Sequence, residues 1–488
     1  MLFRSMIAFA ATAFTGSIEG YSRDYAKSCL TFNPSRGLVL RGTIVTMDDR
    51  HTVVDDGNVL VRNDRIVAIW HGQRPPLGTP VGDAEIIDFG PSALIFPGMI
   101  NLHDHPTFDM LRLWPAPSSD VQVALGRPRG TEPYADRYQW NDISGNASPE
   151  FRRLVETPQL ALVLKQGLNL NTELVKYAKV KALVGGETTL QGAIPSAETD
   201  GLLARNAESV NFGRQRIQSR VPSIASFIGT PLDDLLTQMR NGQLDAWLVH
   251  LAEGVPDGER RPGDATSARG EFILLKSKGL LTDMTVIVHG TGLEAQDFAE
   301  MRAARSIRSD GTGDGLGAKL VWSPLSNLML YGLTTNVYQA LAAGVLVSLG
   351  TDWTPSGSRN LLGELKVADI ALRDPLRLGM SRSLVPWLSI DGKHGRDRAQ
   401  AELALDRLLA DMVTRNPAQT VRWQNEVGSI EAGKVADLFV ITKPSQVRGP
   451  DLPPSPYENQ LEDGVNPFAP GTFEDRWYRC DNCNTDER

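Results

Sequence analysis

A chain of 488 residues is too long for one small core, and 41% hydrophobic with 22% charged residues is the composition of a folded globular protein. A net charge of −8 argues against a surface built to track nucleic-acid phosphates, and no apolar run reaches the length of a membrane span. Three cysteines make no disulfide framework, and Cys480-Asp-Asn-Cys483, lacking a second pair, reads as an exposed thiol pair or a local disulfide rather than a zinc site.

At the N-terminus Arg4 precedes a short apolar run, Met6 to Phe14. One positive residue and a short apolar core favour a frayed or helical extension over 1–36, and hence a cytoplasmic location; a weak secretory signal and export are the alternative. From Gly37 to Trp70 the chain is β-rich. Two β-branched runs, Val59-Leu60-Val61-Arg62 and Arg65 to Trp70, flank Asn63-Asp64 and predict a hairpin. Glu85 to Asp88 adds a short strand.

Apolar residues Ala93 to Phe96 then lead through Pro97-Gly98 into Met99-Ile100-Asn101-Leu102, which predicts a short buried strand. It delivers His103 and His105. Side chains two apart on a strand point the same way, so both imidazoles can reach one point, as metal ligands must. Residues 106–160 carry no clean period and are rich in aromatics, among them Trp114, Tyr134, Tyr138 and Trp140. A loop of that length leaving a ligand strand reads as a pocket wall, with Trp114 against the substrate.

Asn171 to Val184 has helical spacing and stops at Gly185-Gly186. Strands are expected at Glu187–Gly192 and Val221–Ile228, with helices at Leu232–Met239 and Phe272–Lys278. Apolar runs then alternate with helical segments: Ala246 to His250, Met284 to His289, Lys319 to Ser323 and Val345 to Gly350. Near-continuous apolar strands separated by helices predict a parallel (β/α)8 TIM barrel. Ala401–Met412 reads as a helix, Ser429–Ile441 returns to β character, and 451–488 forms a polar, Pro-rich arm.

Active sites of such barrels lie at the C-terminal ends of the strands. His250, His289 and Asp352 each close or follow an apolar run, so with His103 and His105 they are placed to share one opening. The other three of the seven histidines, His51, His71 and His394, sit in turn-like or polar contexts and receive no role. Three neutral imidazoles and a carboxylate with a position left for water describe a catalytic divalent site.

These segments resemble the amidohydrolase superfamily, in the branch holding cytosine, guanine and adenosine-type deaminases and the triazine hydrolases. The likeness covers roughly residues 37–441. It rests on Pro97 to His105, on His250-Leu-Ala-Glu253, on His289-Gly290, on Ser323-Pro-Leu-Ser-Asn327, on Leu349-Gly-Thr-Asp352 and on Val427 to Leu438. The resemblance implies a small β-sandwich built from both chain ends around the barrel: an extension at 1–36, sandwich at 37–97, barrel at 98–404, sandwich again at 405–450, and an arm at 451–488.

It also implies His103, His105, His250 and Asp352 as ligands of one divalent ion, Zn2+ first and Fe, Mn or Co as alternatives. His289 would hold the attacking water, Asp352 would take its proton, and Glu253 would hand a proton to the substrate. Ser326 and Asn327 are expected to orient ligand or substrate. Trp353, where branch members carry small polar residues, is assigned to the substrate. Lys176, Lys179 and Lys181 fall in a helical pattern, so no lysine is expected to bridge a second metal. The expected reaction is hydrolysis of a small heterocycle, with deamination first, amide or ring-halide hydrolysis second, and a metal-free scaffold third. The partner is a small molecule, with no nucleic acid and no membrane, and homo-oligomers are common in the family.

Overall fold

The structure is a computed structural model that describes residues 7–9, 36–114, 133–141, 148–164, 166–192, 200, 203–213, 216–256, 267–373 and 395–441. The expected arm at 451–488, the Cys480/Cys483 pair and His394 lie outside the described residues. The chain divides into two compact units, one of residues 1–97 with 430–488 and one of residues 98–429.

The first unit carries a mixed sheet drawn from both ends of the sequence. Its strands are β1 (Ile7–Phe9), β2 (Leu38–Val45), β3 (Val53–Arg62), β4 (Arg65–His71), β5 (Glu85–Asp88), β6 (Leu94–Pro97) and, from the far end, β15 (Leu438–Ile441). The order is β1-β15-β6-β2-β3-β4, and β5 also pairs with β2. The predicted hairpin is β3–β4, turning at Asn63, whose φ of 54° is the left-handed conformation that Asn tolerates. Alternation along the strands divides the side chains. Leu38, Leu40, Ile44, Val59, Val61, Ile95, Leu438 and Val440 pack into one core, while Val39, Leu60 and Trp70 pack into another. Ile7–Phe9 is not the frayed or helical piece expected. It pairs in parallel with Leu438–Val440, whose backbone groups on that side would otherwise form an open edge.

The second unit holds eight parallel strands among the described residues. They are β7 (Met99–Asn101), β8 (Glu187–Leu190), β9 (Arg205–Asn206), β10 (Arg216–Arg220), β11 (Leu244–Leu251), β12 (Thr285–His289), β13 (Lys319–Trp322) and β14 (Val347–Leu349). They pair in parallel as β7-β8-β9 and as β10-β11-β12-β13-β14. A parallel bridge between Asp104 and Asp352 brings the chain beyond β7 beside the chain beyond β14. Helices follow β7 and β10 to β14: α1 (Asn171–Val184), α2 (Thr230–Arg240), α3 (Ala268–Ser277), α4 (Ala295–Ala303), α5 (Pro324–Tyr331), α6 (Val337–Ala342), α7 (Leu361–Arg373), α8 (Gly395–Val413) and α9 (Arg415–Thr420). This is the (β/α)8 barrel. The strands β11 to β14 are buried along their whole length, as a sheet covered by helices requires.

Two expectations are corrected here. The strand expected at Val221–Ile228 is instead Arg216–Arg220, and a 3-10 turn at Ile224–Ser226 follows it. Its polar side chains hid it: Gln218 pairs with Gln238 and Arg220 with Ser226, so the strand shows no apolar run. The expected return to the small domain at residue 405 falls inside α8, and the barrel unit runs on to Ser429. A helix with one buried face belongs to the barrel's outer ring, where Leu405 and Leu409 are buried.

Candidate active site

The centre of the site is built where β7 ends. Asn101 Oδ1 accepts the backbone N–H of His103 at 3.2 Å, and its Nδ2 donates to Thr351 Oγ1 at 2.8 Å and Glu187 Oε2 at 3.1 Å. The backbone N–H of Asp352 donates to the His103 carbonyl at 2.9 Å. The strand itself stops at Asn101, so His103 and His105 stand just past it rather than within it, and His105 precedes the 3-10 turn Pro106–Phe108. His250 lies on β11 and His289 closes β12. His289 and Asp352 have φ of 71° and 58°. Such left-handed backbone in non-glycine residues is uncommon and turns the chain sharply off the strand at the site.

Four donor atoms converge. His250 Nε2 lies 3.0 Å from His103 Nε2 and 3.2 Å from His105 Nε2. Asp352 Oδ1 lies 3.3 Å from His103 Nε2 and 3.4 Å from His105 Nε2. Ligands about 2.0–2.1 Å from a tetrahedral ion stand about 3.3 Å from one another, so these separations are those of a ligand shell. One proton cannot satisfy three imidazole nitrogens meeting at a point, whereas one cation can. Burial, then the neighbouring imidazoles, holds His103 and His250 well below the ordinary imidazole value. Burial also lowers His105, against the pull of Asp352. Neutral imidazoles are the ligating form. The residues fit a divalent ion: His103, His105 and His250 form one group whose ligand atoms could hold it, and His103, His289 and Asp352 form a second.

Several of the surrounding atoms have partners that orient them. His103 Nδ1 lies 2.8 Å from Ser323 Oγ. Asp352 Oδ2, the oxygen turned away from the imidazoles, accepts from Ser326 Oγ at 2.6 Å. His289 Nδ1 lies 3.0 Å from Asn327 Oδ1, and its ring stands 4.7 Å from that of His103, centre to centre. Ser326 and Asn327, expected to orient ligand or substrate, stand in the first turn of α5, which begins at Pro324 and ends on the left-handed Gly332.

Glu253 follows His250 by three residues and is buried. Its Oε1 accepts from Tyr331 Oη at 2.6 Å, and its Oε2 lies 3.6 Å from His289 Nε2 and 3.8 Å from Arg137. Arg137 is itself tied to Glu271 at 2.7 Å. Burial, then the charge of Glu253, pushes the Tyr331 hydroxyl well above its ordinary value, so it remains a donor.

The aromatic residues of the 106–160 segment and of the loop after Asp352 form one cluster: Trp114, Tyr134, Trp140, Phe151, Tyr331 and Trp353. Trp353 lies against Phe108, which in turn faces the ring of His105 at 6.3 Å. Trp114 is set deeper than a substrate contact would be. It is 1% exposed and ringed by Tyr134, Trp140 and Phe151. The lysines of α1 are engaged elsewhere, Lys179 with Asp200 and Lys181 with Asp109, each at 2.7 Å.

Sequence reading missed Tyr331, Arg137, Glu271 and Ser323. Tyr331 ends an apolar helix and Arg137 sits in an irregular loop, so neither has a local pattern that announces a buried partner. Only Ser323, at the end of an apolar strand, stood in a position comparable with the histidines.

The likenesses to known proteins agree with this geometry. Residues 249–466 match the profile of the amidohydrolase family. A 5-methylthioadenosine/S-adenosylhomocysteine deaminase of Bacillus cereus is 22% identical over 419 residues, which covers 82% of this chain and 84% of the relative. Among solved structures, a triazine hydrolase variant aligns with a TM-score of 0.54 at 17% identity, covering 83% of this chain and 86% of the other. An adenosine deaminase from Xanthomonas campestris with bound zinc aligns with a TM-score of 0.51 at 17% identity, covering 88% of this chain and 87% of the other. The barrel, the small sheet domain and the histidine cluster thus accompany a match to the amidohydrolase family over residues 249–466.

Proposed function

We propose that this amidohydrolase deaminates an aromatic nitrogen heterocycle, with water as the nucleophile and ammonia as the leaving group. The observation that carries this reading is Glu253: a buried carboxyl group whose Oε2 stands beside His289, next to the converging imidazoles. Deamination of a ring needs an acid there, because the ring nitrogen must gain a proton as water adds to the neighbouring carbon.

A divalent ion held by His103, His105, His250 and Asp352 supplies a Lewis acid and lowers the pKa of water toward about 7. The chain's own groups do the rest. Asn327 Oδ1 is only an acceptor, so His289 carries its proton on Nδ1 and presents a bare Nε2 to the water. Asp352 accepts a proton from the attacking water and returns it to the departing amine. Glu253 delivers a proton from Oε2 to the ring nitrogen. Water adds to carbon, the carbon–nitrogen bond breaks and ammonia leaves; as the carbonyl forms, the hydroxyl proton of the adduct returns to Glu253, so atoms and charge balance. Phe108 presents an apolar ring beside His105, suited to packing against a planar ring, and Trp353 backs it edge-on. The curated relatives that act on 5-methylthioadenosine and S-adenosylhomocysteine put aminated purines first among candidate substrates.

Ring-halide hydrolysis is the second reading, supported by the likeness to triazine hydrolase. One experiment separates them. Metal content is measured for the wild type and for the His103→Ala/His105→Ala double variant, and ammonia release is followed on aminopurines, their nucleosides and 5′-methylthioadenosine, with chlorinated triazines in parallel. Near-stoichiometric metal lost in the variant, with ammonia from an aminated ring, is the expected result. Metal with chloride release and no ammonia would transfer the assignment to the second reading. A wild type that takes up no metal on reconstitution would sink both.

A further inference from the structure

Trp140 and Trp353 come from different loops, 213 positions apart in the chain, yet their rings stack at 5.3 Å with 28° between planes. From each indole N–H a chain of hydrogen bonds runs to a different carboxylate of the site. Trp140 Nε1 donates to Tyr331 Oη at 3.1 Å, and Tyr331 donates to Glu253 Oε1 at 2.6 Å. Trp353 Nε1 donates to Ser356 Oγ at 2.5 Å, Ser356 Oγ lies 2.8 Å from Ser326 Oγ, and Ser326 donates to Asp352 Oδ2 at 2.6 Å.

An indole N–H can only donate. Each hydroxyl next in line must therefore use a lone pair to receive it, and its single hydrogen is directed onward. Both chains run one way, from tryptophan to carboxylate. The consequence at Glu253 is that Oε1 is committed as an acceptor, and the working oxygen is Oε2, the one beside His289. At Asp352 the outer oxygen is committed in the same way, and Oδ1 is left facing His103 and His105. Trp114, the third indole of the cluster, makes no such bond among the described residues, so the arrangement is not a general property of packed tryptophans here.

We propose that the stacked Trp140–Trp353 pair is a positioning device that fixes the working oxygen of both carboxylates through these two relays. The Glu253 arm rests on the deaminase reading, whereas the Asp352 arm requires only that the site bind metal.

The test uses substitutions that keep a ring and remove the N–H. Trp140→Phe is expected to lower kcat about tenfold or more on the best substrate of the panel, with KM and metal affinity unchanged. Trp353→Phe is expected to weaken metal affinity about tenfold or more by chelator competition, a readout that needs no turnover. Tyr331→Phe and Ser356→Ala should reproduce the two effects without touching the stacked rings, which keeps the test decisive if a tryptophan variant folds poorly. In a Glu253→Gln background, Tyr331→Phe should add no further loss, because its effect acts through that carboxyl. Unchanged kcat in both Trp140→Phe and Tyr331→Phe, or metal affinity in Trp353→Phe and Ser356→Ala equal to wild type, would overturn the proposal. Full turnover in Glu253→Gln would instead overturn the deaminase reading and leave the Asp352 arm to be judged by metal affinity alone.

Discussion

Gly350 packs directly against His103: a Cβ added at Gly350 would stand 2.4 Å from the His103 Cβ and 2.9 Å from its backbone nitrogen. The last barrel strand and the first ligand are thus in contact through the one residue type with no side chain to place between them. Gly350→Ala should push His103 out of register with His250 and Asp352. The expected result is a fold that survives at a cost of about 1–3 kcal/mol, with metal affinity reduced about 10- to 100-fold. Thermal unfolding and chelator competition on the same preparation check it. Wild-type metal affinity in the alanine variant would show that His103 is not held by this contact.

The Asn327–His289 bond gives a second outcome. Asn327 Nδ2 is spent on Thr334 and Thr335, and Thr335 donates to the His289 carbonyl at 2.6 Å, so the amide has one orientation open to it. Asn327→Ala should free the imidazole to rotate and change tautomer, lowering kcat about 10- to 100-fold. Metal content should stay as in wild type, because His289 is assigned to the water and not to the ion. Loss of metal in this variant would move His289 into the ligand shell.

How much of this was legible beforehand follows from where the information lies. His103, His105, His250, His289 and Asp352 each stand at the end of an apolar run, and a barrel gathers strand ends by its topology. Their convergence can therefore be read without coordinates. Strand β10 was misplaced because Gln218, Ser219 and Arg220 are paired with polar side chains outside the strand, Gln238, Glu208 and Ser226, and no local period records that. Tyr331 was invisible for the same reason: its partner Glu253 is 78 positions away, and a tyrosine at the end of an apolar helix reads as core. Trp114 reads as a substrate contact because its long aromatic loop leaves the ligand strand, but packing sets it among Tyr134, Trp140 and Phe151.

Position 181 tests the single-metal arrangement from another side. Lys181 Nζ is 2.7 Å from Asp109 Oδ2, and Thr354 holds the other oxygen of Asp109 at 2.9 Å. Lys181→Met leaves a buried carboxylate without its counter-charge, and breaking such a pair typically costs about 3–5 kcal/mol. The variant should unfold at markedly lower temperature, yet bind metal with wild-type stoichiometry once folded. Loss of half the bound metal would instead point to a lysine-dependent second ion.

Glu187 gives the enzyme a stability that depends on pH. It is fully buried behind the His103 strand, where its oxygens accept from the Leu361 N–H at 2.6 Å and from Asn101 at 3.1 Å. Burial, the largest cause, pushes its carboxyl group up to about 7, against those two hydrogen bonds and the charge of Lys181, while Asp109 adds to the rise. The sign follows from proton uptake. Between the ordinary value near 4.5 and the folded value near 7, the folded chain binds more protons than the unfolded one, so this residue's contribution falls as pH rises across that window and levels off above it. The full difference is on the order of 3 kcal/mol. Glu187→Gln mimics the protonated acid and should not titrate. The variant should match wild type near pH 5 and exceed it in melting temperature near pH 8. Taking the difference between the two proteins at each pH cancels the shared linkage to metal binding. Parallel melting curves across the range would show that Glu187 is already ionised in the folded protein at pH 5, with Asn101 and Leu361 sufficient to hold its charge.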